Sequence, residues 1–262
     1  MQPAEHNFWK KLPKPFFALA PMADVTDAPF RRLIAKYSRH GEIDGGPHVF
    51  WTEFVSADGL ASAGREALKI DLLYTESERP IVAQLFSSRP EKMRAAAKLC
   101  AELGFDGVDI NMGCPDKTIE KQGAGAKMIC SPSDAEAVIA AAKEGIRDAG
   151  KHIPVSVKTR VGFNHEEIDT WIPFLLEQDI AALTVHARTR KELSKVPAKW
   201  EYLKRVVAHR DRLNKDTVII GNGDVISLAD GMQKANESGV DGVMVGRALF
   251  GNPWFFDAQR NM

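Results

Sequence analysis

Cysteine is scarce. Three in 262 residues, Cys100, Cys114 and Cys130, are too few and too unevenly spaced for a disulfide framework. They form no CxxC pair that would hold zinc or an iron–sulfur cluster, so no metal is expected and a reducing cytoplasm suits the free thiols. Long apolar runs are missing too. None approaches the roughly 18 residues of a membrane span, since FFALAPMA meets Asp24 at once. The opening MQPAEHNFWKKLPKP has no apolar centre of an export signal. There is no low-complexity tract or obvious linker, so one domain is expected, and no GxGxxG dinucleotide motif occurs. Net charge is also absent, with 35 Lys+Arg against 35 Asp+Glu. What is present, 44% hydrophobic and 27% charged residues, is the composition of a globular chain and excludes disorder as the main theme.

The zero charge is unevenly distributed. Arg188 to Lys215 carries ten Lys/Arg against three Asp/Glu, and the rest of the chain carries the compensating excess of acid. Such a segment suits either a phosphate backbone or a solvated helix and loop with surplus lysines.

Eight short apolar runs, each followed by a turn signal and a helix-period stretch, repeat along the chain. They are FFALAPMA (16–23), HVFWTEFV (48–55), PIVAQLF (80–86), GVDINMG (107–113), VSVKTRV (155–161), ALTVHAR (182–188), TVIIGNG (217–223) and GVMVGRA (242–248). Nearly continuous apolar character up to a polar end marks strands buried on both faces of a parallel sheet. Helices are expected over 28–39, 89–104, 166–178, 199–210 and 228–238, and after 131, where Ser133 and Glu136 read as a capping box and Gly150 as the stop. On the helix over 89–104, Leu99, Cys100 and Leu103 read as one face. Roughly 250 residues is typical of the (β/α)8 TIM barrel, which is the expected α/β fold, with an open doubly wound sheet as the alternative. Two connections are long. The stretch 112–132 exceeds the usual βα loop of about 2–6 residues and reads as a lid or binding loop. The Gly-rich 39–47 reads as a flexible turn.

In a barrel the active site lies at the C-terminal strand ends, and these ends are unusually polar. They carry Pro21, Met22 and Ala23; Thr52 and Glu53; Gln84; Asp109 and Asn111; Lys158 and Arg160; His186 and Arg188; Asn222 and Asp224; Gly246 and Arg247. GNGD (221–224) and VGRA (245–248) place glycines at the loops after strands seven and eight, which frequently bind phosphate in this fold, with Arg247 adding charge. Glycine at a tight turn is the bland alternative. Cys114, in NMGCP, suits a general acid, a nucleophile or a structural thiol. Cys100 and Cys130 read as small hydrophobes. Lys158 suits Schiff-base chemistry, a phosphate, developing negative charge or a snorkelling role. His186 is either a ligand contact or a core histidine.

Together these residues resemble the flavin-dependent tRNA-dihydrouridine synthases. The likeness runs from APMADVTDAPFRRL through QLF, DGVDINMGCP, GAGAKMI, VSVKTRVGF, TVHARTR and IIGNGDV to DGVMVGRALFGNPWFF, over nearly the whole chain. It departs at Ser87 and Ser88, and at Ala187, where glycine is frequent in that family. The resemblance implies FMN over the barrel mouth, with NADPH or NADH as reductant, and tRNA as substrate. Pro21, Met22 and Ala23 would lie along the flavin ring, Gln84, Lys158 and His186 would bond it, and Asn222, Gly223, Asp224, Gly246 and Arg247 would hold the phosphate end. Cys114 would be the catalytic acid, and Asn111 and Arg188 would contact the target uracil. A monomer is expected. The family continues into a C-terminal helical domain that grips tRNA. Because the eighth run ends near Gly246, residues 1–262 are expected to be the FMN-binding barrel alone, stopping before or within its eighth helix. The other readings of the same features are an FMN barrel acting on free pyrimidines or dihydroorotate, and a catalytically weak RNA-binding barrel.

Overall fold

A computed structural model describes residues 7–261. The opening MQPAEH, on which part of the export-signal reading rests, lies outside the described residues.

Each of the eight apolar runs coincides with a strand, β2 alone reaching one residue past its run: β1 Phe16–Leu19, β2 Phe50–Ser56, β3 Ile81–Phe86, β4 Gly107–Met112, β5 Val155–Arg160, β6 Ala182–His186, β7 Val218–Asn222 and β8 Gly242–Val245. All pairings are parallel, in the order β1-β8-β7-β6-β5-β4-β3-β2. The ring closes just before β2, where the Leu19 N–H donates to Val49 O at 3.1 Å and the His48 N–H to Phe17 O at 2.7 Å. This is the expected TIM barrel. The helices are α1 Ala28–Tyr37, α2 Ala57–Leu60, α3 Arg65–Leu68, α4 Pro90–Glu102, α5 Lys117–Lys121, α6 Pro132–Asp148, α7 Ile168–Glu177, α8 Glu201–Arg212, α9 Leu228–Ser238 and α10 Ala258–Asn261. None of the described helices is long and apolar enough to cross a membrane.

Alternation along the strands builds two cores. Val108, Ile110 and Met112 of β4 point outward to the helices, with Val155 and Val157 of β5. Phe16, Ala18, Trp51, Val82, Ala182, Val218, Ile220 and Met244 fill the barrel from inside, and Trp9 plugs its base, 5.5 Å from the Trp51 ring. Higher up, the inward positions become polar: Gln84, Asp109 and Ser156, then Asn111, Lys158, His186 and Asn222.

Several local expectations are corrected. Ser133 lies inside α6, and the N-cap is Ser131, because Pro132 with its fixed φ and missing N–H takes the first helical position. Leu103 is exposed. The buried stripe of α4 is Met93, Ala96, Ala97, Cys100 and Ala101, and Leu103 is the C-cap beyond it. Cys130 is exposed, since Met128 and Ile129 take the inward directions of their 3-10 turn. The stretch 112–132 is no open loop, as it holds α5 and the 3-10 turn Gly125–Cys130. The 39–47 turn is tied down: the Gly46 N–H donates to Ser38 O at 2.9 Å, and Asp44 O accepts from the Ala258 N–H at 2.8 Å.

Candidate active site

The strand ends converge on one mouth. A cavity of about 510 Å³ opens there, walled by Ala20, Pro21 and Met22 on the β1 side, by Lys158, His186 and Arg188 across it, and by the 222–226 and 244–248 segments. Among the expected site residues, the cavity thus gathers Pro21, Met22, Lys158, His186, Arg188, Asn222, Gly223, Asp224, Gly246 and Arg247. Ala23 is exposed beside this wall. Thr26 fixes that rim, its hydroxyl accepting from the Met22 N–H at 2.9 Å. Gln84, Asn111 and Cys114 belong to the neighbouring β3–β4 arc.

On the β6–β8 arc, charge is tightly compensated. Arg188 is nearly inaccessible; its Nε donates to Val196 O at 2.6 Å, one terminal nitrogen to His186 Nε2 at 3.1 Å and the other to Asp224. Because a guanidinium only donates, His186 Nε2 must be the acceptor and its proton sits on Nδ1. Burial, reinforced by Arg160, Lys158 and Arg188, holds the His186 pKa well below its ordinary value, so the ring is neutral. Asp224 also accepts from the Ala198 N–H at 2.9 Å and from Arg247 at 3.0 Å. Burial pushes its carboxyl up, but the bonds from Arg188 and Ala198 and the field of Arg188 and Arg247 leave it below the usual carboxylate range. Gly223, at φ +123°, is required here: a Cβ would come within 2.8 Å of Ala198 Cβ and 3.0 Å of the His186 ring.

Lys158 lies between the arcs. Its ammonium reaches Asn222 Oδ1 at 3.3 Å, and Asn222 is fixed in turn by donating to Met244 O at 2.9 Å. Burial and the adjacent Arg160 push Lys158 down to about 8, which leaves it mostly charged at neutral pH.

On the β3–β4 arc the polar groups at the rim, Gln84, Asn111 and Cys114, are neutral. Asn111 Oδ1 accepts from the N–H groups of Gly113 at 3.1 Å and Cys114 at 2.9 Å, which shapes the turn that presents the thiol. Cys114 O accepts from the Ala126 N–H at 2.9 Å, and a Cβ on Gly125 would reach within 2.7 Å of that oxygen. The half-buried Cys114 thiol is pushed above its ordinary value, chiefly by burial, and so keeps its proton at neutral pH. Among the described residues no group of His, Cys, Asp and Glu could hold a metal ion.

The sequence profile of the dihydrouridine synthase (Dus) family matches residues 18–262. The chain belongs to the dihydrouridine synthase family. It is 42% identical over 255 residues to a probable tRNA-dihydrouridine synthase 2 of Bacillus subtilis, covering 97% of this chain and 74% of that protein. It is 39% identical to a probable tRNA-dihydrouridine synthase of Staphylococcus epidermidis, covering 97% of this chain and 75% of that one. A solved chain from Aquifex aeolicus VF5, described only as a structural study, superposes with a TM-score of 0.55 at 15% identity over 98% of this chain and 93% of its own, which shows the shared fold.

This dihydrouridine synthase also uses residues at or just beyond the strand ends to which the sequence reading gave no role. Arg160 ties the loops after β4 and β6 together, donating to Gly113 O at 2.7 Å, Thr189 O at 3.2 Å and Leu193 O at 3.3 Å. A second cation two residues after Lys158, on the same side of the strand, was the available signal. Ser87 and Ser88, where glycine is frequent, tie the β3 end to its surroundings: Ser87 Oγ donates to Asp58 at 2.5 Å and Ser88 Oγ to Gln122 O. The basic segment is largely neutralised within the fold. Arg190 pairs with Glu120, Lys199 with Glu192, Arg205 with Glu166 and Asp169, Arg210 with Asp241 and Lys215 with Asp179. Among the described residues Lys191, Lys195 and Lys204 have no ion-pair partner.

Proposed function

We propose that this chain is a tRNA-dihydrouridine synthase that uses FMN to reduce the C5=C6 bond of uridine in tRNA, with residues 1–262 as the catalytic barrel. The observation that carries the reading is a protonated, half-buried Cys114 on the same mouth as a cavity whose walls suit a flavin. That cavity, about 510 Å³, falls in the range of small-molecule sites. Ala20, Pro21, Met22 and Met244 offer apolar surface to a flat ring, while Lys158 and Asn222 offer polar contacts. Gly223 and Gly246 keep the backbone bare, a Cβ on Gly246 coming within 3.3 Å of Met22 Sδ, and the exposed Arg247 supplies a cation for a phosphate. The names carried by the relatives support the same substrate.

FMN, held by Lys158 and Asn222 at its ring and by Arg247 at its phosphate, would supply the hydride for C6 of the uracil, with NADPH or NADH as the reductant. The chain's own residues manage the rest. Negative charge develops toward C5 and O4, where the nearby Lys158 ammonium stabilises it. Cys114 gives its proton to C5. The nucleotide must leave the RNA stack to reach the mouth, at a cost of about a few kcal/mol, least for loop bases. The α5 segment and the Gly125–Cys130 turn flank Cys114 and shield the base from water. Asn111 and Arg188 keep N–H groups beyond the bonds that fix them, so both are assigned contacts to the target uracil as well as support: Asn111 holds the Cys114 turn and Arg188 holds Asp224 and His186.

The test is incubation of the purified, FMN-loaded protein with NADPH and unmodified tRNA, with free uracil and dihydroorotate in parallel. Dihydrouridine in the tRNA and no turnover of the free compounds is expected. A protein that refuses FMN, that turns over only the free compounds, or that binds tRNA and leaves its uridines unreduced contradicts the proposal.

A further inference from the structure

A single hydrogen-bonded chain of side chains runs through the barrel interior to the Cys114 turn. Ser156 Oγ donates to Asp109 Oδ1 at 2.6 Å, and Gln84 Nε2 donates to Asp109 Oδ2 at 2.6 Å. Asn111 Nδ2 donates to Gln84 Oε1 at 3.1 Å, and Asn111 Oδ1 accepts from the Gly113 and Cys114 N–H groups. Strand register assembles it, with Gln84 beside Asp109 and Asp109 beside Ser156. All four side chains are buried, Gln84 and Asp109 completely.

The chain has a direction, and one charge sets it. An ionised carboxylate only accepts. Gln84 must therefore turn its NH2 toward Asp109 and its carbonyl away. Asn111 answers that carbonyl with its own NH2, which leaves its oxygen for the two backbone N–H groups. Reversing either amide would set donor against donor where no water can compensate.

We infer that Asp109 is a positioning residue whose carboxylate fixes the orientation of the Gln84 and Asn111 amides and, through Asn111, the turn that carries Cys114. The inference rests on the reading of Cys114 as proton donor, but its test does not use the reaction. Protonation of Asp109 would turn an acceptor into a donor and free Gln84 to reverse. Burial pushes the Asp109 carboxyl up to about 6, against the bonds from Ser156 and Gln84 and the Lys158 ammonium. The ionisable groups facing this chain are Lys158 on β5 and, beyond it, Arg160 and Cys114, whereas β3 contributes the neutral Gln84.

The measurement is NMR amide exchange at Gly113 and Cys114 in the full chain, corrected for intrinsic exchange, between pH 5 and 7.5. In the parent, protection falls at least tenfold as pH drops through the range near 6. Asp109→Asn is poorly protected at every pH, because its amide accepts either orientation of Gln84. The double substitution Asp109→Asn with Gln84→Glu keeps the buried charge and the direction of the chain, since the new amide donates to the new carboxylate, and it restores protection to within threefold of the parent at pH 7.5. Parental protection in Asp109→Asn, or a double variant no better than the single one, overturns the inference. Should Asp109→Asn fail to fold, the parent decides, and protection that stays flat from pH 7.5 to 5 overturns it. Absence of dihydrouridine synthesis in the FMN-loaded parent, with these exchange results intact, would instead count against the proposed role of Cys114.

Discussion

The two sides of the barrel mouth are equally polar but held by different physics. On the β3–β4 side Gln84, Asn111 and Cys114 are neutral groups fixed by the directionality of amides around one buried carboxylate. On the β6–β8 side His186, Arg188, Asp224 and Arg247 are fixed by charge compensation, with one aspartate shared between two arginines. The difference matches the tasks proposed for them. A proton donor needs exact placement and a thiol that stays protonated, which a dry amide network provides. A cofactor with an anionic end needs a site that tolerates charge, which a paired, partly open cluster provides.

Removing one side's active group is expected to leave the other side intact. Cys114→Ala loses at least a hundredfold in dihydrouridine formation, within the roughly 10²–10⁴-fold contribution of a positioned proton donor, while FMN affinity measured by fluorescence quenching stays within twofold. Gly223→Ala attacks the opposite side: the added Cβ meets Ala198 and His186, so a cost of about 1–3 kcal/mol is expected in thermal unfolding, with weaker FMN binding. A parental FMN affinity there would detach Gly223 from the cofactor.

A smaller effect separates the arcs by pH. Because His186 is held neutral in the fold, the unfolded chain binds the extra proton below about pH 6.5, so this residue's contribution to stability falls as pH drops through that value. Asp109, pushed up to about 6, works in the opposite sense between that value and the ordinary aspartate range. His186→Gln should therefore flatten the fall in melting temperature between pH 7 and 5 relative to the parent; an unchanged slope would show that the imidazole is not the group responsible. The smallest effect is expected at the surface. Lys191→Ala with Lys195→Ala, both exposed and outside any ion pair among the described residues, should lower tRNA affinity a few-fold and make the salt dependence shallower by up to about two units.

The strands and their polar ends were legible because parallel strands covered on both faces leave a continuous apolar signature that stops at the rim. What stayed hidden depends on partners distant in the chain. Arg190 reads as a free cation until Glu120 is folded against it, and Arg210 until Asp241 is. The same holds inside the site: Arg188 reads as a ligand contact by position, and only the fold shows that it also binds Val196 O, His186 and Asp224. Asp109 looked like one more polar strand end, and only the register shows Gln84 and Ser156 closing on it. Local competition explains the smaller errors, as with Ser133, displaced from the cap by Pro132.

The most direct test of the division between the two arcs is to measure FMN affinity and the FMN-saturated, single-turnover reduction of tRNA uridine side by side in Cys114→Ala and Arg247→Ala. The account predicts parental affinity with at least a hundredfold slower turnover for Cys114→Ala, and about tenfold weaker affinity, from the loss of one charged contact, with turnover restored at saturation for Arg247→Ala. Loss of FMN binding in Cys114→Ala, or turnover in Arg247→Ala that saturating FMN does not restore, would contradict it.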